Sequence, residues 1–435
     1  MKAKIPSTNL PRILIIGGGF GGIKLAQTLN KQSFQVVLVD RNNYHTFQPL
    51  LYQVATGGLE PDSIAFPLRK MFSKQENLIF RMCEVEKIDH SEKRAHTNIG
   101  YIEYDYLVMA TGSETNFFGM EELESNALGM KTILESVDLR SLILMNFEQS
   151  LQEATQDDRE VLLKFVVVGG GPTGVETAGA LAELKKHVLP SDYPELDLRQ
   201  MEIHLIQAGS QLLEGMSEKS SQDALDVLEK MGVNIWLNHR VTGYDGEKLS
   251  TKEGRDFEAS TVIWAAGVKG DIPLGIDTSF IGRGYRLKVN EYNEVDGLEG
   301  VYAVGDVAYM ETEAYPNGHP QVAQVAIQQG EILGKNLRRK YKGAPLKAFK
   351  YYDKGSMATI GRNKAVVDLK NMHLKGRIAW FAWMFVHLLF LIGFRNKMVV
   401  FANWVWSYFT YDKGTRVILR PYKKKNKRVE VTLGN

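Results

Sequence analysis

Apolar runs of four or five residues recur along the chain, and two of them break directly into glycine clusters. Arg12-Ile-Leu-Ile-Ile leads into Gly17-Gly-Gly19-Phe20-Gly21-Gly22, and Lys164-Phe-Val-Val-Val leads into Gly169-Gly-Gly171-Pro-Thr-Gly174-Val-Glu176. Short apolar runs bounded by glycine predict strands buried on both faces, the habit of parallel sheets. Behind the first cluster the apolar positions take helical spacing at Ile23, Ala26 and Leu29, and a helical run follows the second as well. Another apolar run then appears, Val36 to Val39 ending at Asp40, and Ile203 to Ile206 ending at Gln207. Each stretch is a predicted strand-helix-strand unit.

The two units also close alike. Tyr106-Leu-Val-Met-Ala110-Thr111-Gly112 ends 95 residues after Gly17, and Thr261-Val-Ile-Trp-Ala-Ala266-Gly267 ends 98 residues after Gly169. Both are apolar strands running into a small-small-Gly turn, which suits backbone passing close to a bound nucleotide. The stretches before these turns, 85–104 and 233–257, have short alternating runs and read as β-meanders.

The glycine spacing has a chemical meaning. Gly17 permits a tight turn, Gly19 lets backbone approach a pyrophosphate, and Gly22 lets helix and strand pack closely. The helix N-terminus then faces the phosphates. Asp40, with Arg41 beside it, stands where an acid accepts hydrogen bonds from a ribose diol. Gly169, Gly171 and Gly174 repeat the pattern, so one chain carries two dinucleotide sites, and redox chemistry passes between two dinucleotides.

Composition removes other classes. Hydrophobic residues at 44% and charged residues at 24% exclude a disordered chain. The lone cysteine, Cys83, excludes a disulfide framework, a redox thiol pair and a Cys-rich zinc site within one chain; no metal is expected. The net charge of +2 is unevenly spread, since residues 370–435 hold 13 Lys and Arg against 2 Asp and Glu. A basic end on an acidic body suggests an anionic surface as partner. The N-terminus offers no secretory apolar region, which places the expected protein on the cytoplasmic side of its membrane.

Gly300-Val-Tyr-Ala-Val-Gly305-Asp306 resembles the second flavin motif of the two-dinucleotide-domain flavoproteins. That resemblance implies FAD in the N-terminal domain, with Asp306 on its ribityl chain, and the nicotinamide in the middle domain. Asn43-Tyr-His45-Thr-Phe47-Gln-Pro49-Leu-Leu-Tyr52-Gln-Val-Ala-Thr-Gly57 and Ala323-Gln324-Val-Ala-Ile-Gln328-Gln-Gly330 resemble segments of type II NADH:quinone oxidoreductases, as do the second glycine fingerprint with Glu176 and the segments 391–397 and 404–408. The resemblance covers about Ile13 to Leu419. It implies that Glu176 reaches toward nicotinamide and flavin, that Gln324 and Gln328 offer hydrogen bonds to a quinone head, and that copies pair through the C-terminal region. His45, Tyr52 and His319 gain no roles from spacing.

One position departs from the family pattern. The second unit ends in Gln207 rather than the usual glutamate, and an extra loop is expected between Lys186 and Gln200. A neutral strand end no longer repels a 2′-phosphate, so the expectation is NADH as main donor with unusual tolerance of NADPH. Glu176 is expected in the first turn of its helix, where the dipole favours a carboxylate.

The C-terminal region predicts a membrane surface. Ile378 to Phe394 is a 17-residue stretch without Asp, Glu, Lys or Arg, short for a span. Residues 378–411 hold 12 aromatics, including four of the six tryptophans. Two short aromatic helices lying in the interface fit better than a spanning helix. The run Lys423 to Arg428 is expected to add electrostatic attachment to anionic lipid.

The expected fold is α/β, with two Rossmann-like dinucleotide-binding domains, β-meander insertions and a C-terminal amphipathic helical membrane-anchoring segment. The expected domains are FAD-binding at 8–115 and 281–340, NAD(P)H-binding at 116–280, and membrane association at 341–435. The expected activity is non-proton-pumping NAD(P)H:quinone oxidoreduction through FAD. A ferredoxin- or rubredoxin-type reductase with a soluble partner is one rival; a flavin-bearing redox sensor is another.

Overall fold

The computed structural model describes all residues except 31–32, 371 and 423–435. The basic run Lys423 to Arg428 therefore lies outside the described residues. The chain divides into two compact units, one of Met1–Thr46, Ala65–Glu114 and Val268–Asp353, the other of Phe47–Ile64, Thr115–Gly267 and Lys354–Asn435. The division differs from the expected segments: residues 47–64 and the C-terminal region both cluster in the second unit.

The first unit is built on five parallel strands in the order Val301–Ala303, Tyr106–Met109, Arg12–Ile16, Gln35–Asp40, Leu78–Met82. Ile16 pairs with both Val39 and Met109, so Gly17, Asp40 and Ala110 emerge along one carboxyl edge. Such an edge is where doubly wound sheets bind ligands. The helix Phe20–Thr28 packs on the helix Ala323–Tyr341 at glycine distance, since a Cβ on Gly330 would lie 2.4 Å from the Gly21 carbonyl oxygen. The expected meander is the antiparallel sheet Val85–Asp89, Arg94–Thr97, Gly100–Glu103. Cys83 is buried, and burial pushes its thiol up to about 11, which leaves it a packing residue.

The second unit repeats the plan with four parallel strands, Val233–Trp236, Glu202–Ile206, Lys164–Val168 and Thr261–Trp264. Val233–Trp236 belongs to this sheet and not to the meander, which is confined to Val241–Tyr244, Lys248–Thr251 and Asp256–Glu258. The expected loop after Lys186 is partly helical, over Leu184–Val188 and Leu189–Asp192. Its apolar side chains explain the difference: Leu184, Val188 and Leu189 are buried, and Tyr193 packs on Phe147 at 5.3 Å between rings.

The C-terminal region joins this unit through an antiparallel sheet, Ser356–Gly361, Lys364–Leu369 and Met372–Lys375, which packs on the helix Pro172–Glu183. The helices Gly376–Phe390 and Phe394–Thr410 follow. Residues 47–64 hold them in place. Trp404 Nε1–H donates to Gln53 Oε1 at 2.8 Å, and Asn403 Nδ2–H donates to Glu60 Oε2 at 2.6 Å.

Candidate functional site

Each unit forms a nucleotide cradle of the same construction. In the first, Gly17 has φ of +108°, and a Cβ there would meet the Ala110 carbonyl oxygen at 2.2 Å. A Cβ on Gly22 would lie 2.0 Å from the Gly17 oxygen, while nothing lies within 4 Å of one on Gly19. The turn and the helix packing thus require glycine, and Gly19 leaves open space before the helix. That helix begins at Phe20 with no side-chain cap, so its first N–H groups are available to an anion. Asp40 ends the neighbouring strand, with Oδ2 accepting the Gly18 N–H at 2.6 Å and Oδ1 the Asn42 N–H at 2.7 Å. Burial raises its pKa.

The rest of this cradle comes from later strands. Gly112 takes φ of +78° with open space beside it. Arg41 is turned to Asp271, Nη2 to Oδ2 at 2.8 Å, and Thr111 Oγ–H donates to the Asp271 carbonyl. Asp306 Oδ2 accepts from Ser113 Oγ at 2.6 Å, and the preceding Gly305 N–H donates to Gln329 Oε1 at 2.7 Å. Open backbone at Gly19 and the carboxylates Asp40 and Asp306 suit the phosphates, ribose and polyol chain of FAD. His45 borders the same turn. Its Nδ1 lies 3.0 Å from the Gly18 carbonyl and its ring meets Phe20 edge-on, and burial lowers its pKa to about 4, so it is a neutral donor bracing the loop.

In the second unit Gly169 has φ of +115°, and a Cβ there would lie 2.6 Å from the Ala265 carbonyl. A Cβ on Gly174 would lie 1.8 Å from the Gly169 oxygen, and Gly171 again has nothing within 4 Å. Gly171 is the uncapped N-terminal residue of Pro172–Glu183. Ala266 and Gly267 close this cradle, with Phe118 against Gly267. Gln207 takes Asp40's part, its Oε1 accepting the Gly170 N–H at 2.8 Å. Its Nε2–H donates to Glu214 Oε1 at 3.0 Å. Spacing had no means of finding Glu214, because it comes from the following loop and not from the strand.

Glu176 is not in the first turn of its helix. Pro172 opens the helix, and Glu176 lies in its second turn, past the reach of the N-terminal dipole. Its side chain is instead buried at a cavity of about 100 Å³ inside the second unit, walled by Tyr52, Gln53, Thr359, Trp380, Trp383 and Trp404 among others. Burial raises its pKa to about 8, opposed by the Thr359 N–H at 3.3 Å and more weakly by Trp383. The Trp383 indole N–H reaches no partner at full hydrogen-bond geometry. Tyr52, also buried here, receives the Gln53 Nε2–H at 2.8 Å and has its pKa raised by burial. Tyr52, Trp383 and Trp404 thus line one cavity with Glu176, a meeting the sequence did not reveal.

The paired glutamines share the helix Ala323–Tyr341. Gln328 Nε2–H donates to the Tyr352 carbonyl and its Oε1 accepts the Tyr352 N–H, both at 2.9 Å. This closed ring pins the Gln328 carboxamide to the backbone at 352. Gln324 lies in the first turn of the same helix, beside Ala323. His319 is buried against Tyr315, Phe349 and Tyr351, and burial lowers its pKa.

The two C-terminal helices are amphipathic in an unusual sense, with apolar residues on both faces. Ala379, Trp383, Val400 and Trp404 are buried, while Ile378, Phe381, Phe385, Leu389, Phe394, Phe401, Trp406 and Phe409 are exposed, Phe409 by 77%. Among the described residues, no helix is long and apolar enough to cross a membrane.

Two cradles of this kind in one chain define a two-dinucleotide-domain oxidoreductase. Residues 11–330 match the family model of pyridine nucleotide-disulphide oxidoreductases, and residues 353–410 match that of the NDH2 C-terminal domain. The chain is 36% identical to the type II NADH:quinone oxidoreductase Ndh of Mycobacterium tuberculosis, across 94% of this chain and 90% of that protein. It is 28% identical to an internal alternative NAD(P)H-ubiquinone oxidoreductase of Arabidopsis thaliana, across 92% and 84%. The chain belongs to the type II NADH:quinone oxidoreductases. Its fold is similar to that of Plasmodium falciparum NDH2, solved with NADH, at a TM-score of 0.85 and 21% identity, covering 94% of this chain and all of that one.

Proposed function

We propose that this chain oxidises NADH and reduces a membrane quinone through FAD, without pumping protons, as a peripheral protein on the cytoplasmic face of the cell membrane. The observation that carries the reading is the duplicated cradle, with Asp40 and Gln207 in equivalent places. FAD held in the first cradle would supply hydride acceptance from the reduced nicotinamide and two-electron delivery to the quinone. The chain's own residues supply binding and proton handling. The helix ends at Gly19 and Gly171 receive pyrophosphates, Asp40 orients a ribose, and Asp306 holds the ribityl chain. Gln324 hydrogen-bonds the quinone head. Glu176, with its pKa near 8, holds a proton at neutral pH that quinol formation can draw on.

The exposed apolar faces of the last two helices support docking on lipid, with aromatic rings at headgroup level. That feature favours a membrane quinone over a soluble protein acceptor. Pairing of two copies through the C-terminal region completes the reading, and light scattering in detergent tests it. Steady-state NADH oxidation by the FAD-loaded protein, with a quinone analogue and separately with a ferredoxin, tests the whole. Turnover only with the protein acceptor would overturn it.

A further inference from the structure

The loop after Gln207 brings a carboxylate to the place where the strand end lacks one. In the first unit, Asp40 ends its strand and accepts the Gly18 N–H directly. In the second, Gln207 Oε1 takes the equivalent Gly170 N–H, which turns Nε2 outward to Glu214 Oε1 at 3.0 Å. Only this orientation of the carboxamide serves both partners, because a backbone N–H needs an acceptor and a carboxylate needs a donor. The carboxylate removed from the strand end reappears one hydrogen bond further out.

Its position is built into the backbone. Leu212 and Leu213 are fully buried, and the Leu213 N–H donates to the Gly170 carbonyl at 2.7 Å. Leu213 takes a left-handed φ of 52°, and Gly215 follows at φ of +94°. Across the loop, a Cβ on Gly209 would lie 1.8 Å from Glu214 Oε1, so glycine there leaves the carboxylate its room. Both buried leucines tie the loop to the glycine turn that faces the dinucleotide.

We infer that Glu214 is the residue that selects NADH over NADPH. Its carboxylate accepts a hydrogen bond from the adenosine ribose diol and repels the 2′-phosphate that NADPH carries at that place. This rests on the reading that the second unit binds the nicotinamide dinucleotide, and it reverses the NADPH tolerance expected from a neutral strand end.

The test is calorimetric titration of FAD-loaded, full-length wild type, Glu214→Gln and Glu214→Asp with NAD⁺ and NADP⁺, alongside KM values for NADH and NADPH. Wild type should favour the unphosphorylated dinucleotide. Glu214→Gln should weaken NAD⁺ and strengthen NADP⁺, moving their affinity ratio by about tenfold, as one lost charge repulsion at a partly exposed site allows. Added salt should shrink that shift, since Glu214 is exposed. Glu214→Asp keeps the charge and should retain most of the preference. An unchanged ratio in Glu214→Gln, or a wild type that takes both dinucleotides equally, overturns the inference. A wild type that binds neither overturns the nicotinamide reading itself.

Discussion

The carbonyl oxygen of Ile360 lies 1.8 Å from the point a Cβ on Gly179 would occupy. The edge of the C-terminal sheet therefore rests directly on the backbone of the helix that carries Glu176. This close approach brings Thr359 within reach of the Glu176 carboxyl. Gly179→Ala should force sheet and helix apart and destabilise the protein by about 1–3 kcal/mol, the usual range for overpacking a tight contact. Denaturant unfolding followed by tryptophan fluorescence measures it, and an alanine variant as stable as wild type would show that the contact yields without cost.

A second prediction concerns FAD. Asp306→Ala removes the acceptor of Ser113 Oγ and the carboxylate proposed for the ribityl chain. Loss of such a hydrogen bond, with its partners left unpaired, costs about 1–3 kcal/mol. The purified variant should carry less flavin per chain by visible absorbance. Full occupancy with an unchanged melting temperature would place the ribityl chain elsewhere.

Glu176 gives a pH dependence of definite sign. Its folded pKa of about 8 lies above the ordinary glutamate value of 4.5, so the folded protein keeps a proton that the unfolded chain has released. Stability is thus fully present below about pH 4.5 and is lost as pH rises through the window up to about 8. The slope is at most about 1.4 kcal/mol per pH unit. Glu176→Gln should lack this slope and grow more stable relative to wild type as pH rises across the window. Parallel stability curves for the two proteins would mean that the carboxyl is not buried as found. Quinone turnover of wild type should fall above about pH 8, and the glutamine variant should be slow throughout.

Attachment to lipid is best tested on the exposed face. Truncation after Lys375 would also remove Trp383 and Trp404, which are buried, and the Trp404 bond to Gln53. Replacing Phe381, Phe385 and Phe409 together by Ser leaves those packed residues in place. Burial of a phenylalanine side chain is worth about 1.5–3 kcal/mol, so vesicle co-sedimentation should fall by orders of magnitude. Long-tailed quinones should become poor acceptors, while stopped-flow reduction of flavin by NADH should persist. Unchanged sedimentation by the folded triple variant would move the membrane surface to another part of the chain.

What depends on local pattern is legible along the chain. Glycine spacing dictated both turns, because only residues without a Cβ fit beside the Ala110 and Ala265 carbonyls. Apolar runs at Ile13 to Ile16 and Phe165 to Val168 could only be buried parallel strands, and the two C-terminal helices were legible from charge depletion over 378–394 and aromatic content over 378–411. Folding set what depends on residues far apart in the chain. It placed Glu176 in a helix interior, and it buried that carboxyl beside Thr359, about 180 residues away, which pushes its pKa up. It closed the Gln328 carboxamide on the backbone of Tyr352. It also set Glu214 beside Gln207 through a loop pinned by two buried leucines. A strand-end residue shows in the sequence whether it carries charge, but the field at a binding site sums over every carboxylate that folding brings near, and no spacing rule contains that sum.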